Sequence, residues 1–265
     1  MHKPLIVAID GPAGAGKSTV ARMLPRRLGL AYVYSGATYR ALALRVLEES
    51  VSPDDDRALA GLVGRAGIKL LTSRTGFRVL LGGRDVTNRL RTPQIARLAS
   101  QVSRFPEVRK RLVELQRGTG RRRGVVMEGR DIGTVVFPDA SLKVFLDAGA
   151  EVRARRRLEQ DYQSGQTTTF DQTVREINAR DCQDARRSVS PLVPAPDAVL
   201  IDSSRLSAQG VVNKIAGLLG ERGLLGESRR ARAGAIYHAK HKWATDRRRK
   251  LQDVRGGRGG STRRV

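Results

Sequence analysis

The residues Gly11-Pro12-Ala13-Gly14-Ala15-Gly16-Lys17-Ser18, followed by Thr19, carry the spacing Gly-x4-Gly-Lys-Ser. Glycines at those positions let the backbone curl with its N–H groups turned inward. The curl forms a nest for anions, reinforced by the positive end of the helix that follows. A lysine at the end of such a loop reaches β- and γ-phosphates, and the adjoining hydroxyl of Ser18 suits a Mg²⁺ ion. The whole stretch Gly11–Thr19 is therefore the candidate ATP-binding loop. It specifies a bound triphosphate and leaves the reaction open.

A second group narrows the reaction. Val125-Val126-Met127 runs into Glu128-Gly129-Arg130-Asp131. Motor and helicase ATPases end the corresponding apolar strand in Asp-Glu, which holds the metal and activates water. Here the acid is followed by Gly-Arg, which suits the grip on a second phosphorylated molecule. Transfer is favoured over hydrolysis. Arginine is abundant, 41 of the 50 basic residues, and its planar fork matches phosphate oxygens in pairs.

These groups need a scaffold, and the apolar pattern describes one. Leu5–Ile9 is a continuous apolar run, as are Ala31–Tyr34, Gly124–Met127, Leu142–Leu146 and Ala198–Ile201. Runs without alternation indicate strands covered on both faces. Between them lie helical patterns: residues 17–28, with Pro25 an awkward member; Ala37–Glu49; and Ile95, Leu98, Ala99 and Val102. Val108, Leu112 and Leu115 continue beyond the Phe105-Pro106 break. Alternating strands and helices make this an α/β protein with a parallel sheet. Residues about 65–90 break the alternation with two short strands and no helix, which predicts a small antiparallel insert. Residues 150–180 read as charged and helical, interrupted at Ser164-Gly165, and would form a mobile flap.

The chain has 265 residues, 40% of them hydrophobic, enough for a substantial core. Its one cysteine, Cys182, excludes an internal disulfide framework and reads as an inert thiol. No stretch approaches a membrane span, and the apolar run near the N-terminus is too short for a secretory signal. A cytoplasmic protein without membrane contact is expected. Net charge is +24, of which residues 227–265 supply +10 from 13 Lys/Arg and 3 Asp/Glu. That Gly/Arg-rich tail cannot bury enough apolar surface to order itself and is expected to be disordered. It is the one segment suited to electrostatic contact with RNA. His2, His238, His241 and Trp243 lie near the termini and point to neither metal nor catalysis. The expected organisation is a catalytic domain over 1–226 and a basic tail over 227–265.

Several separated signatures resemble the cytidylate kinase family of P-loop nucleoside monophosphate kinases, from about Leu5 to Leu219. They are Ile9-Asp-Gly-Pro-Ala-Gly-Ala-Gly-Lys-Ser-Thr19, Ser35-Gly-Ala-Thr-Tyr-Arg40 and Ser100-Gln-Val-Ser-Arg-Phe-Pro-Glu-Val-Arg109. Glu128-Gly-Arg-Asp-Ile-Gly-Thr-Val-Val-Phe-Pro-Asp139, Arg180-Asp-Cys-Gln-Asp-Ala-Arg-Arg187 with Ser190-Pro-Leu192, and Ile201-Asp-Ser-Ser204 complete the set. The resemblance implies a P-loop fold with a five-stranded parallel core, the antiparallel insert as monophosphate-binding element, and a short arginine-rich lid at about 150–165. It implies transfer of the ATP γ-phosphate to CMP or dCMP, with Mg²⁺, in pyrimidine nucleotide metabolism, by a protein expected to be a monomer.

By the same resemblance Arg40 and Arg130 grip the acceptor phosphate beside Asp131. Ser35, Arg109 and Arg187 address the cytosine, and Ser100, Arg180 and Asp184 the sugar. Lys17 and lid arginines among Arg153, Arg156 and Arg157 stabilise the transferring group, with neither a covalent intermediate nor a dedicated general base. Tyr34 stands where many relatives carry an acid. Two other readings stay open at this point: a P-loop kinase for UMP, AMP or a non-nucleotide acceptor, and an RNA-associated ATPase.

Overall fold

The structure, a computed structural model, describes residues 4–73, 76–121, 124–163, 165 and 167–226. The tail 227–265 lies outside the described residues. The elements below belong to the first of the two units into which the chain divides, Met1–Leu224.

Five strands form a parallel sheet: β1 Ile6–Asp10, β2 Ala31–Tyr34, β6 Val125–Glu128, β7 Leu142–Asp147 and β8 Val199–Asp202, in the order β2-β6-β1-β7-β8. All five residues of β1 and all four of β6 are buried, which is why their sequences are unbroken apolar runs. Ile6 stands opposite Val125 of β6, and Val7 opposite Leu142 of β7. The chain leaves β1 on the β6 side, and after β6 it crosses to the other side. The crevice at the carboxyl ends of β1 and β6 is therefore the switch point at which open α/β sheets bind ligands. Each predicted strand is present, within a residue or two at its ends.

Helix α1 (Lys17–Leu28) follows the phosphate loop and keeps Pro25 in its last turn. Near a C-terminus a proline forfeits only one backbone bond. Gly29, left-handed at φ 68, closes the helix, and its N–H donates to the Pro25 carbonyl. Helices α2 (Gly36–Glu48), α4 (Pro93–Val102) and α5 (Pro106–Arg121) follow the predicted patterns. Thr92 caps α4 by accepting from the Ile95 N–H at 3.2 Å, with Pro93 in the first turn. The insert is a three-stranded antiparallel sheet of β3 (Ile68–Thr72), β4 (Phe77–Leu81) and β5 (Arg84–Asp85). It packs with α2 through a core containing Leu42, Leu59, Val79, Leu81, Val102 and Leu112. The charged segment after β7 resolves into α6 (Ala150–Gln163) and α7 (Phe170–Ala185).

Two helices have no counterpart in the sequence pattern: α3 (Asp56–Arg65) and α8 (Ala208–Glu221). Both contain internal glycines, Gly61 and Gly64 in one and Gly210, Gly217 and Gly220 in the other. Each glycine costs about 1 kcal/mol of intrinsic helix propensity. Tertiary burial of Leu59 and Leu62, and of Val211, Ile215 and Leu219, overrides that cost. No helix among the described residues is long and apolar enough to cross a membrane.

The turn from β1 into the phosphate loop tolerates no side chain. Gly11 has φ +143, and a Cβ there would lie 1.9 Å from the Leu146 carbonyl oxygen of β7. Gly11→Ala is expected to destabilise the fold by roughly 3 kcal/mol or more. Urea unfolding checks this, and a midpoint equal to that of the parent chain contradicts it.

Candidate active site

The loop between β1 and α1 has Gly14 at φ +76 and Gly16 at φ +90, both in the left-handed region that turns backbone N–H groups inward. Lys17 is 6% exposed, and its Nζ donates to the Pro12 carbonyl at 2.6 Å, folding over the loop. Burial pushes its pKa well below the usual lysine value; Arg130 and Arg180 push the same way, and Glu128 and Asp10 oppose. A buried ammonium with cationic neighbours is poised for an anion.

Parallel pairing places β6 beside β1, with Glu128 opposite Ile9. Glu128 is 1% exposed. It accepts from Ser18 Oγ at 2.7 Å through one oxygen and from the Tyr32 hydroxyl through the other. Burial and Glu128 both push the Tyr32 pKa up, so its hydroxyl stays a donor. A hydroxyl held against a carboxylate is an oxygen donor set that fits a hard cation. Among the described residues no group of three or more His, Cys, Asp or Glu side chains is arranged to hold a metal.

Beyond Glu128 the chain enters a tight turn over Ile132–Val136, where the Phe137 N–H donates five residues back to Ile132 at 2.7 Å. Two groups hold that turn. The Asp10 carboxylate accepts from the N–H groups of Ile132 and Gly133 at 2.8 and 2.7 Å. Arg117 donates to the carbonyls of Val135 and Val136 at 2.6 and 3.0 Å. Gly129 is required here, since a Cβ would come within 2.6 Å of Ser35 Oγ and of Ile132 Cδ1.

Asp10 makes the stability of the protein sensitive to pH. Burial, with Asp131 adding to it, raises its carboxyl from 3.8 to about 6 despite the two N–H bonds. A raised carboxyl pKa means that the folded state holds the proton more tightly than the unfolded chain. This contribution is fully present below about pH 4 and is lost as pH rises through about 6, a span worth about 3 kcal/mol. Asp10→Asn is expected to gain that amount relative to the parent between pH 4 and 7. Parallel stability profiles for the two proteins would contradict the assignment.

Around this turn the sequence-predicted acceptor residues gather from four elements. Ser35, 5% exposed, donates to the Glu128 carbonyl from both its N–H (3.1 Å) and its Oγ (2.8 Å). It stands at the start of α2 without capping it. Gln116 donates to Thr38 Oγ1 at 2.9 Å, and Thr38 donates to the Ser35 carbonyl at 2.8 Å, so a buried chain fixes this corner. Arg109, 3% exposed, pairs with Asp131, donates to the Ser103 carbonyl at 3.0 Å and lies 5.5 Å over the Tyr39 ring. Asp184, 1% exposed, receives Arg130 Nε at 2.8 Å and forms an ion pair with Arg187 on its other oxygen. Arg187 is pushed down to about 10 by burial and by Arg109 and Arg130. Arg40 donates to the Leu90 carbonyl at 2.8 Å and stands 5.8 Å over the ring of Tyr34. Ser100 Oγ donates to Gln183 at 3.2 Å.

Arg180 differs from all of these. It has no hydrogen bond or ion pair among the described residues, and its Nε is buried. Burial, then Arg130, push its pKa down to about 10, with Arg40 and Arg157 in the same direction. Five guanidinium groups, Arg40, Arg109, Arg130, Arg180 and Arg187, thus face two carboxylates, Asp131 and Asp184. The surplus is positive, and among the described residues Arg180 is the member of this group with no hydrogen bond or ion pair.

The lid arginines, interchangeable in sequence, are separated by the structure. Arg153 Nε donates to the Ala148 carbonyl at 2.9 Å, and its Nη1 donates to the Ala13 carbonyl at 3.0 Å and pairs with Asp181. Arg156 grips Ser203 through Oγ and carbonyl at 2.9 and 2.7 Å, and Ser203 Oγ donates to the Ala15 carbonyl at 3.1 Å. Arg157 pairs with Asp161 one turn along α6 at 2.9 Å. Asp10, Gln116, Asp181 and Ser203 do not stand out in the sequence as site residues. Asp10, Asp181 and Ser203 sit inside the quoted signatures, while Gln116 has no signal beyond its helix. Cys182 is exposed.

The model of the cytidylate kinase family matches residues 7–221. The cytidylate kinase of Desulfitobacterium hafniense strain Y51 is 45% identical over 222 residues, covering 84% of this chain and 95% of that protein. That of Pelotomaculum thermopropionicum is 50% identical over 210 residues, covering 79% and 93%. That of Geobacter sulfurreducens is 45% identical over 221 residues, covering 83% and 95%. A family model matched over residues 7–221 and relatives 45–50% identical over most of both chains place it: the chain belongs to the cytidylate kinase family.

Proposed function

We propose that this chain transfers the γ-phosphate of ATP to CMP or dCMP, and that the residues gathered at the carboxyl ends of β1 and β6 carry the reaction. The observation that supports it most directly is the unpartnered Arg180 in a cluster with excess positive charge beside Lys17. A dianionic monophosphate brought toward a triphosphate needs that excess, and among the described residues Arg180 has no ion pair that would neutralise it.

In this reading the loop Gly11–Thr19 binds ATP, with Lys17 moving from the Pro12 carbonyl to the β- and γ-phosphates. Ser18, oriented by Glu128, would hold Mg²⁺, which when bound would neutralise phosphate charge. Arg40 and Arg130 grip the acceptor phosphate, and Asp131 orients Arg109. Ser35 spends its hydroxyl proton on the Glu128 carbonyl, which leaves its lone pairs to accept from the exocyclic amine of cytosine; Arg109 and Arg187 donate to the ring edge. Ser100, Arg180 and Asp184 face the sugar. Catalysis is positioning and charge stabilisation, with Arg153 and Arg157 directed at the transferring group and water excluded around it. Residues 1–226 form the catalytic part of a cytoplasmic monomer, and 227–265 is an appendage outside the chemistry.

A coupled assay of ADP formation with CMP, dCMP, UMP and AMP tests the substrate assignment. CMP or dCMP is expected to exceed both others in kcat/KM by at least about ten-fold, because an acceptor built for an amine leaves a buried group unpaired with uracil. Turnover of UMP or AMP above CMP rejects it.

A further inference from the structure

Asp181 lies in α7 between Arg180 and Asp184, and none of the roles above uses it. Its Oδ1 accepts the Ala13 N–H of the phosphate loop at 3.2 Å, across 168 residues of chain. Its Oδ2 pairs with Arg153 of α6, whose Nη1 also donates to the Ala13 carbonyl at 3.0 Å. Both polar groups of Ala13 and one edge of the Arg153 guanidinium are therefore closed into a single ring by one carboxylate. The fit is tight, for a Cβ on Gly14 would lie 2.8 Å from both Arg153 Cβ and its carbonyl oxygen. Arg153 Nε is spent on Ala148 at 2.9 Å, which leaves Nη2 as the nitrogen for which no protein partner is found among the described residues. A guanidinium frozen on three sides with one nitrogen free is preorganised for a phosphate oxygen.

We propose that Asp181 is a positioning residue for the transfer step: it locks Arg153 against Ala13, so that the Arg153 nitrogen left over meets the transferring phosphoryl group without a search. It acts through Arg153 and touches no substrate. An uncharged side chain at this position frees Arg153 to sample other rotamers, which costs transition-state stabilisation and leaves the binary CMP complex alone.

The inference rests on the proposed reaction, and the two fail differently: if that reading is wrong, the unaltered protein forms no ADP in response to CMP. With it active, a double-mutant cycle of Asp181→Asn and Arg153→Met on the full chain decides. Asp181→Asn keeps the shape and an acceptor for Ala13. It is expected to lower kcat about ten- to hundred-fold, with the CMP Kd from calorimetry within about two-fold of the parent. Arg153→Met is expected to lower kcat at least as far, and the double variant no further than Arg153→Met alone, since both changes remove one interaction. Losses that multiply, an unchanged kcat in Asp181→Asn, or a kcat loss matched by an equal loss of CMP affinity would overturn the proposal. Should Asp181→Asn fail to fold, Asp181→Glu, which retains the charge on a longer arm, is judged by the same cycle.

Discussion

Lys17→Met is expected to lower kcat for CMP phosphorylation by about a thousand-fold, while CMP still binds. The ammonium is the loop's only side-chain cation, and its one hydrogen bond among the described residues goes to the Pro12 carbonyl at 2.6 Å. Its contact with the triphosphate strengthens as charge develops between the phosphates. A thousand-fold loss corresponds to about 4 kcal/mol of transition-state stabilisation. Methionine keeps most of the buried stem and removes a charge that burial and Arg130 disfavour, so the fold is expected to be as stable as the parent or more so. Steady-state kinetics, CMP calorimetry and a melting curve on the same sample separate these effects. CMP turnover at undiminished speed would remove the basis of the proposed reaction.

Arg180→Met is expected to act in opposite directions on function and stability. Arg180, which faces the acceptor's sugar in the proposed reading, has no ion pair among the described residues and is pressed by Arg130 and Arg40, so the phosphate carried on that sugar is the counter-charge it lacks. Its loss removes a charge-assisted grip on the acceptor, and kcat/KM for CMP is expected to fall about a hundred- to a thousand-fold. The free protein is expected to gain about 1 kcal/mol, because a repulsion disappears and an apolar side chain of similar length fills the space. Kinetics together with urea unfolding check both signs. A variant that is less stable and still fully active would make Arg180 a structural residue.

Much of this site is legible in the amino-acid sequence. The phosphate loop is, because an anion nest is a local object: it needs residues with φ > 0 at fixed spacing, and Gly14 and Gly16 occupy that region. The insert is legible because two short strands with no helix between them cannot continue a parallel sheet. Helices α3 and α8 are not, since their glycines weaken the local signal and burial supplies what propensity lacks. The arginines show the limit most clearly. Arg153, Arg156 and Arg157 are equivalent as letters in a run, yet they bind Ala13 with Asp181, Ser203, and Asp161 respectively.

What the chain's sequence determined by itself was the alternation of buried strands with all helices but α3 and α8, and the position of the donor loop, both consequences of short-range periodicity and backbone freedom. Only the tertiary structure decided which charges are neutralised and which are left for a ligand. Arg130 meets Asp184 across 54 residues and Ser18 meets Glu128 across 110. Such pairings follow from how the parallel sheet brings β1, β6 and α7 to one crevice. The surplus of positive charge at Arg180 is what remains after those long-range pairs have formed, and no local pattern of residues encodes a remainder.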